Sequence, residues 1–127
     1  MMLWLAIAFG GALGAVSRFA LSHGIYQWWG REFAWGTLMV NLMGSFLIGL
    51  LTILLINKFA VSTEWRALLI VGFLGSFTTF STFSFETMQY LQTGEVSKAV
   101  LNISASVLGC LLAVWLGLWA GKQFLVE

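Results

Sequence analysis

The chain has 127 residues, 60% of them hydrophobic and only 9% charged, with a net charge of +1. Soluble domains average roughly 25% charged residues, so a water-soluble enzyme is excluded, and no basic cluster suggests nucleic acid. Residues 1–17, 33–57, 67–85 and 99–121 contain no Asp, Glu, Lys, Arg or His. A bilayer-spanning helix needs roughly 17–25 such residues. The composition therefore predicts an all-α integral membrane protein with four transmembrane helices. Residues 1–127 form a single transmembrane domain with no room for a soluble insert.

The first span is predicted over residues 3–21. No Lys or Arg precedes Arg18 and three further spans follow, so it reads as a retained helix rather than a secretory signal. Ala6, Gly10 and Gly14 recur every four residues, a small-residue stripe that lets membrane helices approach backbone to backbone. Arg18 has two open roles at the end of this span. It can snorkel to the headgroups or reach inward to an anion. Residues 23–34 read as a loop carrying an interfacial aromatic belt of Tyr26, Trp28 and Trp29, with Trp35 just beyond. His23 reads as a boundary residue, because a lone His is poor material for a metal site.

The second span is predicted over residues 35–56. Thr37, Asn41 and Ser45 fall on one face at i, i+4, i+8. Asn41 is the one amide in this span and brings two donors and an acceptor. It serves either an interhelical hydrogen bond or a polar path. A short polar loop follows, with Thr63 as a helix cap and Arg66 at the membrane boundary.

The third span, residues 65–91, holds the least ordinary stretch. From Thr78 to Ser84, five hydroxyl residues (Thr78, Thr79, Ser81, Thr82, Ser84) alternate with phenylalanines. In hydrocarbon each unsatisfied polar group costs several kcal/mol. Ser and Thr also compete for helical backbone bonds. There is no proline in the chain, yet this stretch predicts a helix break at a functional site. Such a break is tolerated only where protein or a polar cavity covers it. Glu86 closes the stretch, either as a carboxylate at depth or as an interfacial residue. The fourth span, residues 99–121, carries a second polar stripe of Asn102, Ser106 and Cys110. Cys110 is the single cysteine, so no internal disulfide is possible.

With strict alternation of the spans, Lys58, Arg66 and Lys122 lie on one side and Arg18, Arg31 and Lys98 on the other. The positive-inside rule orients a chain by Lys/Arg asymmetry, and here there is none. Both insertion orientations are expected, with a functional unit of two oppositely oriented copies. No nucleophile–base pair, zinc site or phosphate loop is present, and no Asp occurs at all, so the chain is not expected to be an enzyme. Neutral O–H and N–H donors can replace an ion's hydration shell without trapping it, and phenylalanine edges carry partial positive charge. Together they suit a small, strongly hydrated anion.

These residues resemble the Fluc/CrcB family of fluoride channels. The likeness covers nearly the whole chain. It rests on Gly10-Gly11 with Gly14 and Arg18, on Gly36-Thr37 and Asn41, and on Gly72, Gly75 and the string Thr78-Thr79-Phe80-Ser81-Thr82-Phe83-Ser84. The resemblance implies passive fluoride efflux by an antiparallel dual-topology homodimer with two pores, in the bacterial inner membrane. Each pore would be lined by Asn41, Phe80 and Phe83, with Thr37, Ser81, Thr82, Asn102, Ser106 and Cys110 alongside and Arg18 at a vestibule. Backbone carbonyls of Gly75 and Thr78 from both copies would hold a structural sodium ion, Na+, at the dimer interface. Ser76 and Phe77 depart from the Gly and Leu commoner in the family. Asn102 stands where some members carry Tyr, and Cys110 where some carry Ser. Two rivals are weighed against this: a proton-coupled four-helix exporter, which would need a carboxylate in the first span, and a non-transporting assembly protein.

Overall fold

The computed structural model describes residues 1–126. They form four membrane-length helical spans and no strand. Helix α1 is Met2–Trp29. Helix α2 is Trp35–Ile53, prolonged by a wider π-wound turn, Leu54–Lys58. The third span, Thr63–Gln92, is interrupted. Its first half, α3, runs through three consecutive helical pieces, Thr63–Arg66, Ala67–Leu74 and Gly75–Phe77, the middle one π-wound. Its second half, α4, is Phe80–Gln92. Helix α5 is Val96–Val126.

The break falls inside the hydroxyl stretch, as its composition predicts. Thr78 and Thr79 are extended, with φ/ψ of −82°/156° and −149°/114°. The outer helix ends differ from expectation. Residues 23–29, part of the stretch that reads as loop in the sequence, continue α1, and α5 overruns its predicted limits at both ends. The physical reason is that nothing between residues 22 and 29 stops a helix. The stop is Gly30, at φ 82°, whose N–H caps the Tyr26 carbonyl. At 1.5 Å per residue the 28 residues of α1 reach about 42 Å, which spans hydrocarbon and headgroup layers together. The aromatic belt is thus the outer end of a helix.

Two glycine seams hold the spans. A Cβ on Gly10 would strike the Leu68 carbonyl, and one on Gly14 would strike the Phe73 carbonyl. α1 and α3 therefore touch backbone to backbone along the stripe seen in the sequence. Gly49 against Val114 and Gly117 against Phe46 do the same for α2 and α5. The largest fully buried side chains are Leu74, Val40 and Asn102. The outer faces are apolar, with Val16, Phe19, Leu108 and Leu111 each about two-thirds or more exposed, as lipid-facing surface requires. Gly94, at φ 79°, turns the chain between α4 and α5. Beside it Lys98 donates to Glu95 at 2.9 Å, and this holds the Glu95 carboxyl below its ordinary range.

Candidate functional site

The site is built around Thr79. Thr78 ends α3 by turning its own hydroxyl onto the Leu74 carbonyl (3.0 Å), the local competition expected of threonine. Gly44 on α2 has no Cβ, and one would collide with the Thr78 methyl, so the break can settle directly against α2. There the Asn41 side chain takes the place of a peptide unit. Its Oδ1 accepts from the Thr79 N–H at 2.7 Å, and its Nδ2 donates to the Thr79 carbonyl at 3.0 Å. The N–H and carbonyl of Thr79 are thereby both satisfied at a depth where lipid offers no partner. The Thr79 hydroxyl then caps α4, accepting from the Thr82 N–H at 3.2 Å and donating to the Thr82 hydroxyl at 3.0 Å.

A cavity of about 440 Å³ opens beside this join. Asn41, Phe80, Phe83, Ser106, Cys110 and Ser45 line it, together with Gly75 and Thr78 of the break. Asn41 commits one of its two amide hydrogens to Thr79, which leaves the second for the cavity. The Phe80 and Phe83 rings lie 5.4 Å apart and tilted by 51°. Phe83 is buried, but Phe80 is 78% exposed in the middle of the span. None of these lining residues carries a formal charge.

A smaller cavity, about 240 Å³, also reaches the break. Arg18, Thr37 and Thr82 border it, and Thr79 itself lines both cavities. Beyond Thr37 comes a carboxylate cluster. The Thr37 hydroxyl donates to Glu86 Oε1 at 2.6 Å, and the Tyr26 hydroxyl reaches both Glu86 oxygens at 3.4 Å. Gly36 makes room for the Tyr26 ring. Of the two roles open to Glu86, the structure places it part-buried in a polar cluster. Tyr26 falls in the stretch that reads as loop in the sequence, and its partner lies 60 residues away, beyond any periodic signal.

The sequence-derived candidates thus divide between two cavities, with Ser81 and Asn102 lining neither. Asn41, Phe80, Phe83, Ser106 and Cys110 share the large cavity. Arg18, Thr37 and Thr82 share the small one. Ser81 is exposed beside them, its hydroxyl 3.3 Å from that of Thr79. Asn102 lies in neither: it is 1% exposed and donates to the Thr87 hydroxyl at 3.0 Å. Thr87 in turn donates to the Phe83 carbonyl at 2.8 Å. Asn102 therefore ties α5 to the turn that carries Phe83.

The end of α3 also offers oxygen. The amide that would normally bond the Gly75 carbonyl belongs to Thr79, which gives it to Asn41 instead. Gly75 is exposed, so this end of the half-helix is not covered by the rest of the chain. Unpaired carbonyls suit a hard cation, and no cluster of three His, Cys, Asp or Glu exists among the described residues for a softer metal.

Four apolar spans around an uncharged, donor-lined cavity at a helix break define a multi-pass membrane protein of the transport class. The chain belongs to the CrcB family: the model described as "CrcB-like protein, Camphor Resistance (CrcB)" matches residues 5–118. Three relatives are each named fluoride-specific ion channel FluC. That of Hydrogenovibrio crunogenus is 67% identical over 120 residues, covering 94% of this chain and 91% of that one. That of Magnetococcus marinus is 53% identical over 116 residues, covering 91% and 94%. That of Methylococcus capsulatus is 50% identical over 121 residues, 95% of this chain but only 53% of that longer protein.

Proposed function

We propose that the protein is a fluoride-selective channel that lets fluoride leave the cytoplasm passively across the bacterial inner membrane. The observation that carries this is the large cavity, where a free Asn41 N–H, the Ser106 hydroxyl and two phenylalanine rings converge with no fixed charge opposite. Neutral donors can stand in for a small anion's water and still release it. Arg18 beside Thr37 and Thr82 draws anions toward the break. The names of the relatives supply the ion.

The working unit is a homodimer of oppositely oriented copies with two pores. Phe80, Ser81 and Gly75 are exposed at mid-span, where lipid cannot satisfy a carbonyl or a hydroxyl. A second copy of the same broken face supplies the missing cover, and the even Lys/Arg distribution permits the inverted copy. The Gly75 and Thr78 carbonyls of both copies would hold a sodium ion, which would supply fixed positive charge at the centre of the dimer.

The test is fluoride release from proteoliposomes, followed with an ion-selective electrode. Rapid release without a proton gradient is expected. Tight vesicles containing folded protein, or release that saturates and requires a proton gradient, would overturn the assignment.

A further inference from the structure

A third cavity, about 430 Å³, lies away from the break, where the first turns of α1 meet the end of α2 and the start of α3. Its wall is apolar, built from Leu3, Ile7, Ile56 and Val71. Its polar rim is Thr63 and Arg66. These two sit in the opening turn of the third span, next to Trp65, which is 58% exposed. An exposed tryptophan at a span end marks headgroup level. Arg66 donates one Nη2 bond to the Thr63 hydroxyl at 3.2 Å. The one ion pair among the described residues is Lys98–Glu95, so Arg66 brings an unpaired guanidinium to that depth.

We propose that this cleft holds one acyl chain of an anionic phospholipid, with its phosphate on Arg66 and Thr63. The chemistry fits at both ends. An apolar slot open to hydrocarbon takes a chain, and a guanidinium at headgroup depth makes charge-assisted bonds to a phosphate. Free phosphate could use the rim but has nothing to place in the slot. Neither cavity at the break borders this cleft, so the inference stands or falls apart from the fluoride assignment. In an antiparallel dimer each leaflet would carry one such site.

The experiment is native mass spectrometry of the purified protein titrated with phosphatidylglycerol or with phosphatidylcholine of matched chains. The expected result is about fivefold greater retention of phosphatidylglycerol, the scale of one basic side chain at an anionic surface. Arg66→Gln should level the two lipids. Ile7→Trp, which fills the slot and leaves the rim, should lower retention of both. Millimolar inorganic phosphate should displace neither. Equal retention of the two lipids by the wild-type protein would overturn the proposal whether or not a variant folds. So would full displacement by phosphate, which would reduce the site to an anion patch, or a dimer that binds no lipid because the second copy covers the cleft.

Discussion

The α1–α3 seam and the break in the third span solve one problem in opposite ways. Both bring backbone close to backbone in a medium that cannot hydrogen-bond. At the seam no backbone hydrogen bond passes from one helix to the other, and the approach comes from removing side chains at Gly10 and Gly14. At the break the helical bonds are given up, and one side chain, Asn41, replaces them. The seam is closely packed, and the break borders two cavities. A polar join can persist here because the half-helix leading into it is packed closely against α1 at Gly10 and Gly14.

That contrast is sharpest where the seam itself is attacked. In Gly14→Val the new Cβ meets the Phe73 carbonyl rather than a mobile side chain. Overpacking a core typically costs about 1–3 kcal/mol, and a backbone clash falls at or beyond the upper end. The expected outcome is loss of monodisperse protein on size exclusion, with no flux from whatever survives.

The break should tolerate change better in fold than in function. Asn41→Leu strands the Thr79 N–H and carbonyl together, at about 1–3 kcal/mol for each buried group. Thermal unfolding in detergent should fall accordingly, and fluoride flux should fall at least about tenfold, since about 1.4 kcal/mol on the barrier suffices. Unchanged flux in a folded Asn41→Leu variant would remove Asn41 from the pathway and leave it a purely structural clamp.

The smallest expected effect is at the cap. Thr79→Ala removes the hydroxyl that receives the Thr82 N–H but keeps both bonds to Asn41. Loss of an N-cap costs about 1 kcal/mol. A modest drop in unfolding temperature is expected, with the break intact. A loss as large as that of Asn41→Leu would show that the cap, not the amide, holds the two halves together.

Much of this was legible in the residues. The number of spans followed from four charge-free stretches, and the position of the break from hydroxyl density between Thr78 and Ser84. The glycine stripe announced the seam. Three things were hidden, each for a physical reason. The true end of α1 was masked because aromatic residues suit both an interfacial loop and the rim of a long helix. The role of Asn102 was masked because an i, i+4, i+8 stripe fixes a face but not the neighbour that face meets, which proved to be Thr87. The pairing of Asn41 with Thr79 joins residues 38 apart, and Tyr26 with Glu86 residues 60 apart. No local periodicity encodes such pairs.

The π-wound stretch Ala67–Leu74 gives the third span a phase that ordinary winding would not. Its bonds skip one more residue than an α-turn, so it carries at least one surplus peptide, and each residue of an α-helix advances about 100° around the axis. Deleting a single residue there would leave the composition, the glycine stripe and the hydroxyl string untouched. It would also rotate everything downstream by more than a quarter of a circle and turn Thr79 away from Asn41. The aim of the whole second half of the span is set by a spacer of which only the last residue, Leu74, borders the cavity it points toward.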